Sequence, residues 1–335
     1  MKHGCIVGMG AIGPIHAQAL GARGWLYAVC DNQPERLTGF APENAALVRY
    51  ASFEEVLADA KVDVVHICTP HYLHKDMAIA ALAAGKHVVL EKPVAMNPAE
   101  LEELLTAEAN AQTHLCVMLQ NRTNPSIVRL REFLETDSSL GKLQGIYGFL
   151  TWCRNAAYYT RDPWRGKWAT EGGGLLINQA IHTLDLLGYL GGTITKVTGS
   201  FSNKTLQNII EVEDTADAVL ETETGLRLHF YGTNGAAYST PAQLEVKMER
   251  GILRYADHRL YKITEDNCEI LTYDNQKVPG KDCWGGGHQT VIDGFYHFLE
   301  TGEGDYITLA DAVPAMKTLY AFYNSAKTGK PITLK

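Results

Sequence analysis

Apolar and polar positions along this chain change rhythm near residue 120. Before it, short apolar runs at 4–8, 26–30, 63–68, 87–90 and 115–119 read as buried strands. Between them, residues 53–60, 73–84 and 98–111 carry the spacing of helices. Strand and helix in alternation, with short connections, predict a parallel sheet covered on both faces. After 120 a helix runs to about residue 134, and then the rhythm becomes two-fold. Leu226, Leu228 and Phe230 alternate with Arg227, His229 and Tyr231, and Leu244, Val246 and Met248 repeat the pattern. That texture predicts a large, mainly antiparallel sheet with one face open for packing. Residues 290–301 and 309–328 return to helical spacing, and 331–334 suits an edge strand. The expected fold is α/β. A doubly wound domain with a parallel sheet is expected over 1–120, and a second α/β domain carrying the large, mainly antiparallel sheet over 121–335.

Length agrees with two domains, since 335 residues can support two cores. Acidic residues outnumber basic ones, 38 to 30, and the bases are scattered, which excludes a broad nucleic-acid footprint. Seven cysteines include no C-x-x-C pair, and Cys5, Cys30, Cys68 and Cys116 sit in apolar runs. That usage fits a reducing compartment and offers no zinc spacing, so no metal is expected. The apolar run at the N-terminus is short and broken by glycines, and no run has bilayer length. A cytoplasmic protein with no membrane partner is expected.

The ends of the early strands carry the candidate chemistry. Gly8-Met9-Gly10-Ala11-Ile12-Gly13 lies between a strand and a helix, the context in which G-x-G-x-x-G cradles a pyrophosphate. Gly8, Gly10, Ala11, Ile12 and Gly13 are therefore cofactor candidates. Asp31 ends the second strand, where a carboxylate accepts from ribose hydroxyls and repels a 2′-phosphate. NAD is favoured over NADP, with Arg36 close enough to weaken the preference. Further along come Thr69-Pro70-His71-Tyr72-Leu73-His74 and Glu91-Lys92-Pro93. Later, Gly172-Gly173-Gly174 leads into a helical segment with Asn178 and His182 four residues apart, a spacing that stacks them on one face.

In order and spacing these motifs resemble the Gfo/Idh/MocA family of NAD(P)-dependent sugar and cyclitol oxidoreductases. The resemblance implies a Rossmann domain, then a domain whose open sheet packs against a partner subunit as a homodimer or homotetramer. It places Thr69, Pro70, His74, Glu91 and Lys92 at the cofactor, with Lys92 and His182 facing the nicotinamide as catalytic residues. The family commonly has aspartate where this chain has Asn178, and it often carries a Trp-Arg-Gly element, here Trp164-Arg165-Gly166.

Oxidation of a secondary alcohol needs a base for the hydroxyl proton and a positive charge for the alkoxide. His182 is assigned the first role and Lys92 the second. Asp185 is expected to orient the His182 ring. Arg122 is expected either to contact substrate or to anchor the domain junction. Trp164 and Arg165 are expected to close over cofactor or substrate, with a core role equally open for Trp164. His74 either lines the nicotinamide pocket or caps a helix, His71 is solvated, and His288 reads as a loop histidine. His3, His16, His66, His87, His114, His229, His258 and His297 are assigned no chemistry. The leading reading is a dehydrogenase acting on a sugar, sugar derivative or cyclitol. An NAD-dependent glycosidase and a non-catalytic dinucleotide-binding regulator are the alternatives.

Overall fold

The structure is a computed structural model that describes residues 1–41, 43–274 and 286–334; Cys283 and Gly285 lie outside the described residues. In chain order its α-helices are α1 (Gly13–Gly21), α2 (Pro34–Gly39), α3 (Phe53–Ala58), α4 (His71–Ala83), α5 (Pro98–Asn110), α6 (Pro125–Thr136), α7 (Ala156–Arg161), α8 (Ile181–Gly191), α9 (His288–Thr301) and α10 (Leu309–Thr328). Local chemistry sets several of their starts. Ser52 and Glu55 form a capping box at α3, and Asn97 accepts from Glu100 N ahead of Pro98 at α5.

Two compact units result, Met1–Leu119 with His288–Ala312, and Gln120–Gly287 with Val313–Lys335. In the first, β1 (Gly4–Val7), β2 (Leu26–Cys30), β3 (Val48–Tyr50), β4 (Val64–Ile67), β5 (His87–Leu90) and β6 (Leu115–Val117) pair in parallel. Their order is β3-β2-β1-β4-β5-β6, which reverses beside β1 and opens a crevice at the strand ends there. The apolar runs form its centre: Ile6, Val29, Val64 and Val89 are wholly buried. Helix α9 closes the same core with Phe295 and Tyr296, also wholly buried. Each such side chain contributes about 1.5–3 kcal/mol. That packing draws residues 288–312 into the first unit, so a single cut at 120 does not describe the division.

The second unit holds β7 (Leu143–Thr151), β8 (Ile194–Ser202), β9 (Thr215–Thr222), β10 (Arg227–Thr233), β11 (Gln243–Met248), β12 (Gly251–Ala256), β13 (Arg259–Ile263), β14 (Cys268–Tyr273) and β15 (Ile332–Thr333). They form one sheet in the order β14-β13-β12-β11-β7-β10-β9-β8-β15, antiparallel except for β7 with β10. Leu228 and Phe230 point inward, as the alternation requires. Helix α8 covers that inner face so closely that a Cβ on Gly148 would meet Thr183 at 2.9 Å. The other face carries Tyr147 stacked on His229, with Phe149 and Tyr231 exposed and paired in register. No helix among the described residues is long and apolar enough to cross a membrane.

Candidate functional site

The glycine turn after β1 is shaped by its neighbours. Gly8 has φ +95°, and a Cβ there would sit 2.7 Å from the Cys68 carbonyl oxygen. Around Gly10 the space is open, the nearest atom being Arg36 Nη1 at 3.8 Å from a built Cβ. Ala11 and Ile12 complete the turn, and α1 starts at Gly13 with no side-chain cap competing for an anion. Asp31, at the end of β2, is buried and accepts from Met9 N at 2.7 Å and Gln33 N at 2.9 Å. Arg36 Nη1 stands 3.5 Å from the same carboxylate. A carboxylate has lone pairs beyond these for ribose hydroxyls, so the turn and Asp31 fit a dinucleotide.

Thr69 and Pro70 follow β4 and precede α4. His74 is buried, with Nδ1 2.7 Å from the Pro93 carbonyl and Nε2 2.8 Å from the Thr69 carbonyl. It joins the loop after β4 to the loop after β5. Burial pushes its pKa down, against the two carbonyls. His71 is buried, contrary to the expectation of a solvated ring, because it opens α4 against the unit.

Glu91 ends a chain of buried polar groups. Its Oε1 is 3.0 Å from His16 Nε2; His16 Nδ1 is 3.0 Å from His66 Nδ1; His66 Nε2 is 3.0 Å from the Tyr296 hydroxyl. His288 Nε2 stands 3.8 Å from the same Glu91 oxygen, and Lys92 N donates to Glu91 Oε2 at 3.3 Å. Burial acts to raise the Glu91 carboxyl, but the His16 hydrogen bond and the charges of His16, His288 and Lys92 outweigh it and bring it to about 2. Burial pushes His66 well down, so that ring is neutral. An ionised Glu91 only accepts, which makes His16 Nε2 the donor. His16 and His66, which the sequence left without a role, thus belong to a buried hydrogen-bonded chain. Their signal was polarity at core positions of β4 and α1, where a buried polar group requires a partner. His288 is corrected too: it is the buried first residue of α9, not a loop residue. His16, Glu91 and His288 also bring ligand atoms within 4.8 Å of one another, a metal-capable grouping that the cysteine pattern gave no reason to expect.

In the second unit, the segment 176–180 is a π-turn rather than the α-helix expected, and α8 continues from it. Such turns concentrate at functional sites. Asn178 lies within the π-turn and His182 is the second residue of α8. Asn178 Nδ2 donates to Glu171 Oε1, while His182 Nε2 lies 3.5 Å from Gln120 Nε2. Each keeps 9% of its surface exposed while Ile177, Ala180 and Ile181 keep 1% or less, so the polar pair is what a small ligand can reach. Gln179 is held by Asn234 Nδ2 at 3.0 Å and donates to the Tyr158 hydroxyl at 3.4 Å. Arg165 stacks on Trp164 and Tyr158, donates to Tyr158 at 2.6 Å and pairs with Asp162 at 3.1 Å and Glu171 at 3.8 Å. Burial raises the Tyr158 hydroxyl, so it stays protonated.

Arg122 and Asp185 form a two-point ion pair, at 2.9 and 2.6 Å. Asp185, expected to serve the His182 ring, has its carboxylate oxygens on the guanidinium. The triple glycine packs against the unit's own chain. A Cβ on Gly173 would fall 1.9 Å from the Tyr323 hydroxyl, and one on Gly174 2.1 Å from the Glu213 carbonyl. These glycines admit the unit's own chain. Glu213, buried beneath them, accepts from Gly174 N, Leu176 N and Tyr323. Burial pushes it up to about 7 despite those bonds.

Residues 2–119 match the family model described as "Oxidoreductase family, NAD-binding Rossmann fold", and residues 127–254 match "GFO/IDH/MocA C-terminal domain". The chain belongs to the GFO/IDH/MocA oxidoreductase family. Among its relatives is the myo-inositol 2-dehydrogenase of Thermotoga maritima, 26% identical over 97% of this chain and 88% of that protein. The inositol 2-dehydrogenase of Rhizobium meliloti is 24% identical over 82% of this chain and 80% of that protein. The WlbA dehydrogenase from Bordetella pertussis, crystallised with NADH and UDP-GlcNAcA, matches all of this chain and 99% of that one, with a TM-score of 0.85 and 27% identity.

In this GFO/IDH/MocA oxidoreductase Glu171 brings its carboxyl group to the Asn178 amide.

Proposed function

We propose that this oxidoreductase transfers hydride between NAD and a secondary alcohol of a sugar, sugar derivative or cyclitol. The observation that carries the reading is Lys92, which directly follows a buried, ionised Glu91 at the end of β5, in a unit whose glycine turn and Asp31 fit a dinucleotide. The names of the inositol dehydrogenase relatives support the substrate class. Gly8, Gly10, Ala11, Ile12, Gly13, Asp31, Thr69, Pro70, His74, Glu91 and Lys92 would hold or border the cofactor, which when bound supplies the hydride acceptor. Asp31 favours NAD, since its buried carboxylate repels a 2′-phosphate; Arg36 offsets part of that repulsion.

His182 takes the hydroxyl proton, and the Lys92 ammonium stabilises the alkoxide left behind. In reduction the two roles reverse. Asn178, Trp164 and Arg165 position substrate hydroxyls, while Arg122 and Asp185 brace the start of α8. The exposed aromatic face bearing Phe149 and Tyr231 fits a second copy of the chain, making a homodimer or homotetramer. A panel of inositols, sugars and nucleotide sugars, followed at the NADH absorbance, tests the reading. Turnover of at least one alcohol is expected. NAD binding with no turnover across the panel would favour a regulator, and glycoside cleavage without NADH accumulation would favour a glycosidase.

A further inference from the structure

Among the described residues, one half-buried cation of the second unit pairs with no acid. Arg154 follows β7, with its amide donating to the Asn234 carbonyl at 2.9 Å. Its guanidinium lies between the rings of Trp152 and Tyr158, 4.6 and 4.8 Å from their centroids. Nη1 donates to the Cys153 carbonyl at 2.9 Å and reaches Ser239 Oγ at 3.4 Å, while Nε is buried and meets no acceptor. Among the described residues, no carboxylate pairs with Arg154. The contrast with its neighbours is sharp. Arg122 is neutralised by Asp185, and Arg165 by Asp162 and Glu171.

Position ties this cation to the candidate substrate residues. Tyr158, on which it stacks, accepts from Gln179 of the π-turn, adjacent to Asn178 and three residues before His182. Asn234, whose carbonyl holds the Arg154 backbone, also holds the Gln179 side chain. A guanidinium fixed between two aromatic planes is pre-organised to receive an oxyanion through its fork.

We propose that Arg154 binds an anionic group of the substrate, so that this enzyme works on sugar acids or phosphate-bearing sugars in preference to neutral ones. The inference rests on the dehydrogenase reading above. Carboxylate and phosphate offer the guanidinium the same acceptors, and the probes separate them.

The test compares wild type with Arg154→Gln and Arg154→Lys. Glucuronate and galacturonate probe a carboxylate, glucose 6-phosphate and UDP-glucose a phosphate, and glucose and myo-inositol serve as neutral controls. Turnover is read by NADH formation, and binding to the enzyme–NADH complex by calorimetry. Wild type is expected to favour at least one anionic probe. In Arg154→Gln the anionic-to-neutral ratio of kcat/KM should fall by about 10- to 100-fold, mainly through KM, with partial recovery in Arg154→Lys. An unchanged ratio, or a preference for the neutral probes in wild type, overturns the proposal, because a merely structural arginine would lower both arms together. Charge-selective binding without turnover would leave the anion site standing and sink only the dehydrogenase reading. Turnover without charge selectivity would do the reverse, and absence of both overturns the two together.

Discussion

Asn178 shows what one side chain changes. As an amide it carries no charge and relays no proton, but it is bonded to the Glu171 carboxylate. Asn178→Asp would bring a second carboxylate against Glu171 and place negative charge nearer His182. Negative charge favours the imidazolium, while oxidation needs the neutral ring. The acid limb of the kcat/KM profile should therefore move up by about one pH unit in Asn178→Asp. An unmoved limb would mean that residue 178 does not set the His182 proton equilibrium. At this scale legibility in the sequence depended on locality. Asp31 stands out because its type and spacing follow a strand and a glycine turn. The His16–His66–Glu91 chain joins positions 50 and 75 residues apart, and no local pattern encodes such pairings.

Among elements, the two glycine clusters looked alike in sequence and prove different in structure. Gly10 borders open space, whereas Gly174 abuts the Glu213 backbone. Gly10→Ala should fold with stability within about 0.5 kcal/mol of wild type yet bind NAD at least about tenfold more weakly. Gly174→Ala should lose stability by about 1–3 kcal/mol or more, since backbone must move to admit the methyl. Urea unfolding and NAD titration on both variants check the pair; the reverse pattern would contradict this assignment of roles. Periodicity located β1, β2, β4, β5 and β6 of the first sheet and β10 and β11 of the second because one period governs a whole run, and it left β7, β8, β9, β12, β13 and β14 unplaced. It missed β3, only three residues long and half-buried, and it read the π-turn as α-helix because the residue types suit both.

For the whole molecule, pH acts through buried groups of opposite sign. Burial lowers the pKa of His66 well below the usual histidine range and lowers that of His74 against its two carbonyl partners, and His87, less buried, is brought to about 4. Below pH about 6.5 the unfolded chain binds protons that these rings refuse, so stability falls as pH falls, by up to about 1.4 kcal/mol per unit for each fully buried ring. Glu91, at about 2, adds a loss once pH drops below its unfolded value near 4.5. Glu213, at about 7, works the other way: its contribution is present at low pH and is lost as pH rises toward 7. His66, His74 and His87 act in one direction as pH falls from 7 to 5, and Glu213 acts in the other. The urea midpoint should accordingly drop between pH 7 and pH 5, and a rising midpoint would contradict the burial assigned to these rings. The return of residues 288–312 to the first unit was not legible either, since an amphipathic helix announces a buried face without naming the core that receives it.

The central claim is that Lys92 and His182 carry the chemistry of an alcohol oxidoreductase. Its most direct test is NADH formation by wild type, Lys92→Met and His182→Gln on whichever alcohol the panel identifies, with NAD binding measured alongside. The account predicts that both variants still bind NAD and lose at least about 10²-fold in kcat. A variant that binds NAD and turns over at the wild-type rate would contradict it.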